Sequence, residues 1–367
     1  MISKQYRLPR SRCQAVVPIR GLPGREGRGW EGRSRPPEHP VLPTRSGHRR
    51  AVRRFAALLL TLGSWACETP DWPAQLPGSL PERLLTSLHP EEIRVLTLGP
   101  GVAFYGLRVD EGPWAIHLLR VDLARCDLGL EVIRAPEQGD LPGGRSRVTD
   151  LPGIPSPRTV GAVNGDFFTP EGLPLGTEVV GGDVRRIRDR PAFAWRPGEP
   201  PWMGTPGAEG DSVLFVGWRI SRNEPDGVSQ VVGAFPHLLA GGRRIGDLLV
   251  SENPSFAAAR HPRTAVGFDS PRHLLWIVGV DGRQPGYSDG MSLPELTGLL
   301  EAMGATDAVN LDGGGSTVMV LRGTPVSRPS DAEGERPVAN ALAVVRDPAL
   351  CEVPDVSESP GSHPAGR

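Results

Sequence analysis

The phrase Ala-Val-Asn-x-Asp occurs twice in this chain, as "AVNGD" at 162–166 and as "AVNLD" at 308–312. Each copy closes a short Val-rich run, and each is followed at once by a change of character: "FFTPEG" after the first, "GGGS" after the second. Short β-branched runs that end in polar residues read as strands stopping at a turn. Side chains alternate along a strand, so Asn164 and Asp166 leave on one face, as do Asn310 and Asp312. An Asp before glycine is ordinary turn chemistry, but a turn does not ask for the same Asn two residues upstream. The repetition therefore predicts two neighbouring strands whose Asn and Asp side chains converge on one cleft.

Further runs of the same kind surround these two. "EEIRVLTLGPGVAFYGLRV", "WAIHLLRVDL", "LGLEVIRA", "SVLFVGWRI", "RTAVGFD", "HLLWIVGVDG", "STVMVLRG" and "NALAVVRD" all read as strands. The clearest helix is "SLPELTGLLEAMGA", 292–305. Ser292 caps it, Glu295 completes a capping box, Pro294 suits the first turn and Gly304 stops it. Leu293, Leu296, Leu299, Leu300 and Met303 form its buried stripe. Many strands and few helices, without strict alternation, predict an α+β class: a single strand-rich domain with a mixed, curved sheet and a few packed helices.

The two ends of the chain differ from this middle. Residues 1–51 are rich in Arg, Pro and Gly and read as disordered, or as an extension ahead of the true start. "VRRFAALLLTLGSWAC", 52–67, has two arginines, an apolar run and a terminal cysteine. That is the layout of a signal peptide, too short for a mature membrane span, with Cys67 as a lipidation candidate. Residues 68–90 form a Pro-rich tether, 91–350 the folded domain and 351–367 a disordered tail. The expected location is exported: periplasmic, secreted, or an outer-membrane lipoprotein touching the membrane only through its anchor. In an oxidising compartment Cys126 and Cys351 are available as a disulfide; two unpaired thiols are the alternative. A net charge of -1 gives no whole-protein attraction to nucleic acid. Lys4 is the sole lysine beside 47 Gly and 40 Pro, so a lone arginine carries little information.

The glycine run supplies the first chemical reading. Gly313, Gly314 and Gly315 lack Cβ atoms and could bare their N–H groups as an anion nest, with Ser316 adding a hydroxyl. The run lacks the lysine and spacing of a P-loop. Arg263, ahead of "TAVGFD", could grip phosphate with its fork. The loop "VDGRQPGYSDGMS" offers Asp281, Arg283, Ser288 and Asp289 for substrate. No resident cofactor is expected, although that loop's oxygens could hold Ca²⁺. His261 reads as incidental.

"VNGDFF", "HPRTAVGFD", "VDGR…GMSLPEL…LLEAMGATDAVNLDGGGSTVMV" and "RPVANALAVV", in this order, resemble the phosphodiester glycosidase family over roughly residues 92 to 346. The resemblance implies hydrolysis of a sugar–phosphate diester. It carries Asn164, Arg263, Asp312, Gly313, Gly314 and Ser316 over as site residues, without a catalytic metal. Many members carry glycine where Asp166 stands.

The departing phosphate monoester needs little protonation, its second pKa being about 6. Attack at the anomeric carbon is therefore favoured, with the leaving charge held by Arg263 and the glycine amides. Asp312 is the expected nucleophile or base, Asn164 and Asn310 orient it or the sugar hydroxyls, and Asp166 completes the catalytic set. The expected partner is a phosphorylated glycan or sugar phosphodiester of the envelope. A non-catalytic envelope protein that binds phosphorylated polysaccharide would need the anion loop but no poised Asp312. A metal-dependent phosphodiesterase is disfavoured by the lack of clustered His and Asp.

Overall fold

The computed structural model describes residues 79–137 and 143–352, together with the backbone strand Lys4–Arg7. The expected signal segment, Cys67, most of the tether and the tail after 352 lie outside the described residues.

The α+β class holds, with the strands divided among four sheets. The largest runs in the order Lys4–Arg7, Glu92–Gly99, Val102–Val109, Trp114–Asp122, Leu274–Val280, Arg263–Asp269, Asp307–Asn310, His237–Ala240 and Arg243–Arg244. A second has Thr159–Asn164 and Asn340–Arg346 at its centre, flanked by Met319–Leu321 and Leu128–Arg134. Every ladder between described strands is antiparallel, so the sheets are not mixed as expected.

Period-2 alternation explains the layers. In Leu274–Val280, Leu275 and Ile277 enter a core shared with Val163, Met319, Leu342 and Val344 of the second sheet. Trp276, Val278 and Val280 point the other way, towards Leu293, Leu296, Leu299 and Leu300 of the helix Leu293–Ala302. Both faces are covered, so the segment reads as an unbroken apolar run although its neighbours are antiparallel. Each such side chain contributes about 1.5–3 kcal/mol on burial. The helix has the expected capping box: Glu295 N–H donates to Ser292 Oγ, and Ser292 N–H donates to Glu295 Oε2.

Three boundaries differ from expectation. A helix at Glu82–Leu88 lies within the expected tether; its Leu84, with Leu80 ahead of it, joins the first core, so folded structure begins before residue 91. "SVLFVGWRI" is two strands, Ser212–Phe215 and Trp218–Ser221, turning at Gly217 with φ 86°. "STVMVLRG" spends its first residues in a turn and is a strand only at Met319–Leu321. Cys126 and Cys351 are joined by a disulfide with a Cα–Cα distance of 4.8 Å.

Candidate functional site

The two repeats meet. Thr159–Asn164 belongs to the second sheet and Asp307–Asn310 to the first, and the two sheets share a core. Just past their ends the chains join directly. The Asn164 amide donates to the Asp312 carbonyl at 2.6 Å, and Asp312 N–H donates to the Gly165 carbonyl at 3.0 Å. Thr264 Oγ1 and the Val318 N–H donate to Asn164 Oδ1 at 2.7 and 3.3 Å. Asn164 is fully buried, so this polar clamp keeps its strength away from water.

Asp166 is 1% exposed. Its Oδ2 accepts the Gly176 N–H at 2.6 Å, while its buried Oδ1 has no partner. Gly176 and Gly233 close over the carboxyl, and a Cβ on Gly233 would strike it. Asn340 Oδ1 accepts the Asp166 N–H at 2.9 Å, and Asn340 Nδ2 donates to Glu178 Oε1 at 2.6 Å. Burial pushes the Asp166 carboxyl up to about 7; the Asp312 charge adds to the rise, while Gly176 N–H and Arg190 oppose it. Asp312 is half-buried, and its Oδ1 accepts the Gly313 N–H at 2.9 Å. Burial raises it to about 6 against the pull of Ser316, Gly313 and Arg336. Two carboxyls with raised affinity for protons thus lie at the junction of the repeats, and the Asp312 charge acts on Asp166.

The glycine loop is built differently from the expected nest. Gly313 N–H goes to Asp312, Gly314 N–H to the Pro262 carbonyl at 2.9 Å, and Ser316 N–H to the Gly313 carbonyl at 3.2 Å. These amides are consumed by the turn Gly314–Ser316. The glycines serve close approach instead. Gly314 has φ 61° and lies against the Arg283 guanidinium; Gly315 lies beneath the Arg336–Asp331 ion pair. The positive φ of Gly314 beside a guanidinium favours a residue without Cβ.

Arg263 also differs from the free fork expected. It is 1% exposed; Nε donates to the Met291 carbonyl at 2.8 Å and Nη2 to the Phe256 carbonyl at 2.6 Å. Desolvation lowers it to about 10, and the guanidinium ties two loops together. Asn310 does not orient Asp312: its amide donates to the Phe235 and Leu311 carbonyls at 2.8 and 2.7 Å. Asp281 is buried, 2.9 Å from His117 Nε2, and accepts from Tyr287 Oη and Arg328 N–H at 3.0 Å each. Its oxygens are thus engaged inside the protein. Among the described residues no group of three or more His, Cys, Asp or Glu is placed to hold a metal. Arg283 is exposed, with Nη2 3.3 Å from His261 Nδ1.

Sequence reasoning missed Asn340, Glu178, Arg190 and a trio of half-buried rings. Phe256 contacts Phe167 and Phe235 with centroids 6.2 and 6.3 Å apart. Asn340 stood in plain view within "RPVANALAVV" but looked like one more strand residue. Phe167 could have been found as the neighbour of Asp166. Nothing local in 176–235 marks Glu178 or Arg190.

This strand-rich domain brings two proton-hungry carboxyls together where strands of two different sheets end. Residues 157–345, just over half of the chain, match the family model for phosphodiester glycosidase, and the chain belongs to that family. It is 32% identical over 212 residues to N-acetylglucosamine-1-phosphodiester alpha-N-acetylglucosaminidase of Bos taurus, covering 52% of this chain and 37% of that protein. The Mus musculus protein of the same name is 40% identical over 142 residues, covering 34% of this chain and 26% of its own length. The chain thus spans well under half the length of these curated relatives. The crystal structure of a hypothetical protein from Synechocystis shares the fold, with TM-score 0.54 at 19% identity over 69% of this chain and 64% of that one.

Proposed function

We propose that this chain is a hydrolase that cleaves a glycosyl-phosphate diester at the anomeric carbon. The observation that carries the reading is the convergence of Asp166 and Asp312, with carboxyls raised to about 7 and about 6. Near neutral pH Asp312 is the more ionised and acts on the sugar side, as nucleophile or as base for water. Asp166 retains a proton to share with the departing phosphate. That phosphate leaves readily, so Asp166 assists and Asp312 is essential. Asn164 holds the Asp312 backbone, and Asn340 holds that of Asp166. The family membership and the names of the curated relatives support a sugar phosphodiester as substrate, and an envelope or extracellular glycan is the proposed source.

A panel of sugar-1-phosphodiesters in labelled water tests this. Release of free sugar carrying the label is expected. Label in phosphate would place the attack at phosphorus and sink the mechanism. No turnover of any diester would favour a protein that only binds phosphorylated polysaccharide. Export, with Cys67 at or near the mature N-terminus, is part of the proposal; the Cys126–Cys351 disulfide suits an oxidising compartment. Mass spectrometry of the native protein would reject it by finding a chain that starts at Met1.

A further inference from the structure

With Arg263 held by the Met291 and Phe256 carbonyls, and the Gly313 and Gly314 amides by the Asp312 carboxylate and the Pro262 carbonyl, the substrate's phosphate needs another cation. Arg190 is half-buried, and its guanidinium makes neither an ion pair nor a hydrogen bond among the described residues. Its carbon lies 4.8 Å from the Phe235 ring centroid and 5.7 Å from that of Phe167. Phe167 directly follows Asp166, and Phe235 stands two residues past Gly233, which abuts the Asp166 carboxyl. The backbone on either side of Arg190 is pinned. Thr177 Oγ1 donates to the Arg188 carbonyl at 3.0 Å and accepts the Arg188 N–H at 2.9 Å, while Ala234 N–H donates to the Pro191 carbonyl at 2.8 Å. A fixed loop thus presents a guanidinium with unspent donors, between two aromatic faces, beside a carboxyl. The rings hold the cation by their π faces and restrict its rotamers without using its N–H groups.

We propose that Arg190 is the phosphate-binding residue of this site, taking the diester's phosphate, and then the phosphate product, on its fork between Phe167 and Phe235. Of the other arginines, Arg336 is spent on Asp331 and Arg260 on Glu295; Arg186 has a buried Nε without a hydrogen-bond partner and Arg283 meets His261, but neither makes a cation–π contact with Phe167 or Phe235 among the described residues. Asp166 keeps a proton up to about pH 7, so it does not neutralise Arg190 before the substrate arrives. A planar fork matches two phosphate oxygens, which an ammonium cannot do.

This deepens the hydrolase reading and rests on it for the identity of the substrate, but its test can be separated from that reading. Inorganic phosphate is titrated calorimetrically into the full protein, wild type and variants. Arg190→Ala should weaken phosphate roughly 10-fold or more, and Arg190→Lys should recover only part of the loss. Arg188→Ala removes the same charge two residues away and should bind phosphate as wild type does; an equal loss there would reduce Arg190 to general field and overturn the proposal. So would saturable binding unchanged in Arg190→Ala, or the absence of saturable binding in wild type. On a sugar-1-phosphodiester, Arg190→Ala should raise KM. On the 4-nitrophenyl glycoside of the same sugar, which has no phosphate, it should raise KM far less than on the diester. Arg190-dependent phosphate binding in a protein inactive on every diester would sink the hydrolase and leave the anion subsite standing.

Discussion

The copies of Ala-Val-Asn-x-Asp at 162–166 and 308–312 share four letters of five and end in opposite situations. Asn164 reaches across to the other copy and fixes the Asp312 carbonyl. Asn310 does not reciprocate; it ties down the carbonyls of Phe235 and Leu311. Asp166 is buried with Gly176 and Gly233 against its carboxyl, and the Asn340 side chain accepts its backbone N–H. Asp312 stays half-buried at the start of a glycine turn that it caps with its own carboxylate. The same local phrase makes the same strand end twice, because alternation and propensity are local. What each Asp does is set by the tertiary neighbours that the phrase does not encode.

The largest effect should follow from removing charge at the more open copy. Asp312→Asn keeps shape and most hydrogen bonding, so the thermal midpoint should hold while kcat falls by about 10²-fold or more. Full activity in this variant would dissolve the asymmetry between the copies. Next come the two Asn residues. Asn164→Ala leaves the Asp312 carbonyl, the Thr264 hydroxyl and the Val318 N–H without their partner, which should cost about 3 kcal/mol in denaturant unfolding and lower kcat about 10-fold. Asn310→Ala should cost only about 1–2 kcal/mol, because its Oδ1 is already buried without a partner. Its kcat should stay within about 2-fold of wild type, since it touches neither carboxyl. Equal losses of kcat in both would mean that the repeat is functionally symmetric after all.

Asp166 gives a prediction of opposite sign for stability and for rate. Its carboxyl rises from an ordinary 3.8 to about 7 on folding, so the native state holds a proton that the unfolded chain has released. Stability from this group is therefore full below about pH 4 and lost as the pH rises through about 7. Asn cannot ionise. Asp166→Asn should be more stable than wild type at pH 8, by something on the order of 1–4 kcal/mol, and the advantage should vanish near pH 4. The rate should fall only about 10-fold, because the phosphate leaves without strong acid help. Wild-type activity should rise through about pH 6 as Asp312 ionises and fall through about 7 as Asp166 does. The variant should lose the alkaline limb.

Much of this was legible in the sequence. The capped helix at 292–305, the strand ends and the meeting of the repeats follow from local periodicity and from one repeated phrase. The roles of glycine and arginine were not. "GGGS" has the composition of an anion nest, yet whether its amides are bare depends on Pro262 and on Asp312 itself, which accept them. Arg263 looked like a phosphate ligand from its place before a strand, yet carbonyls at 256 and 291 claim its donors. Asn340 of the second sheet and Glu178 of another sheet come from segments 162 residues apart, a pairing no window of sequence contains.

The smallest expected effects lie in the glycines of the two copies. In the first, Gly165 occupies the variable position, and a Cβ there would strike Asn340 Oδ1. Asn340 cannot yield: it is fully buried and bonded both to Glu178 and to the Asp166 N–H. Gly165→Ala should cost about 1–3 kcal/mol. Just past the second copy a Cβ on Gly315 would meet both members of the Arg336–Asp331 pair, an exposed arginine and a half-buried aspartate that can shift together. Gly315→Ala should therefore change stability by less than about 1 kcal/mol. It should still leave a trace in the chemistry. Arg336 lowers the Asp312 carboxyl, so moving it away should shift the acid limb of the rate profile upward. A strongly destabilised Gly315→Ala protein would show that the pair is rigid, and an unmoved acid limb would show that Arg336 does not reach Asp312.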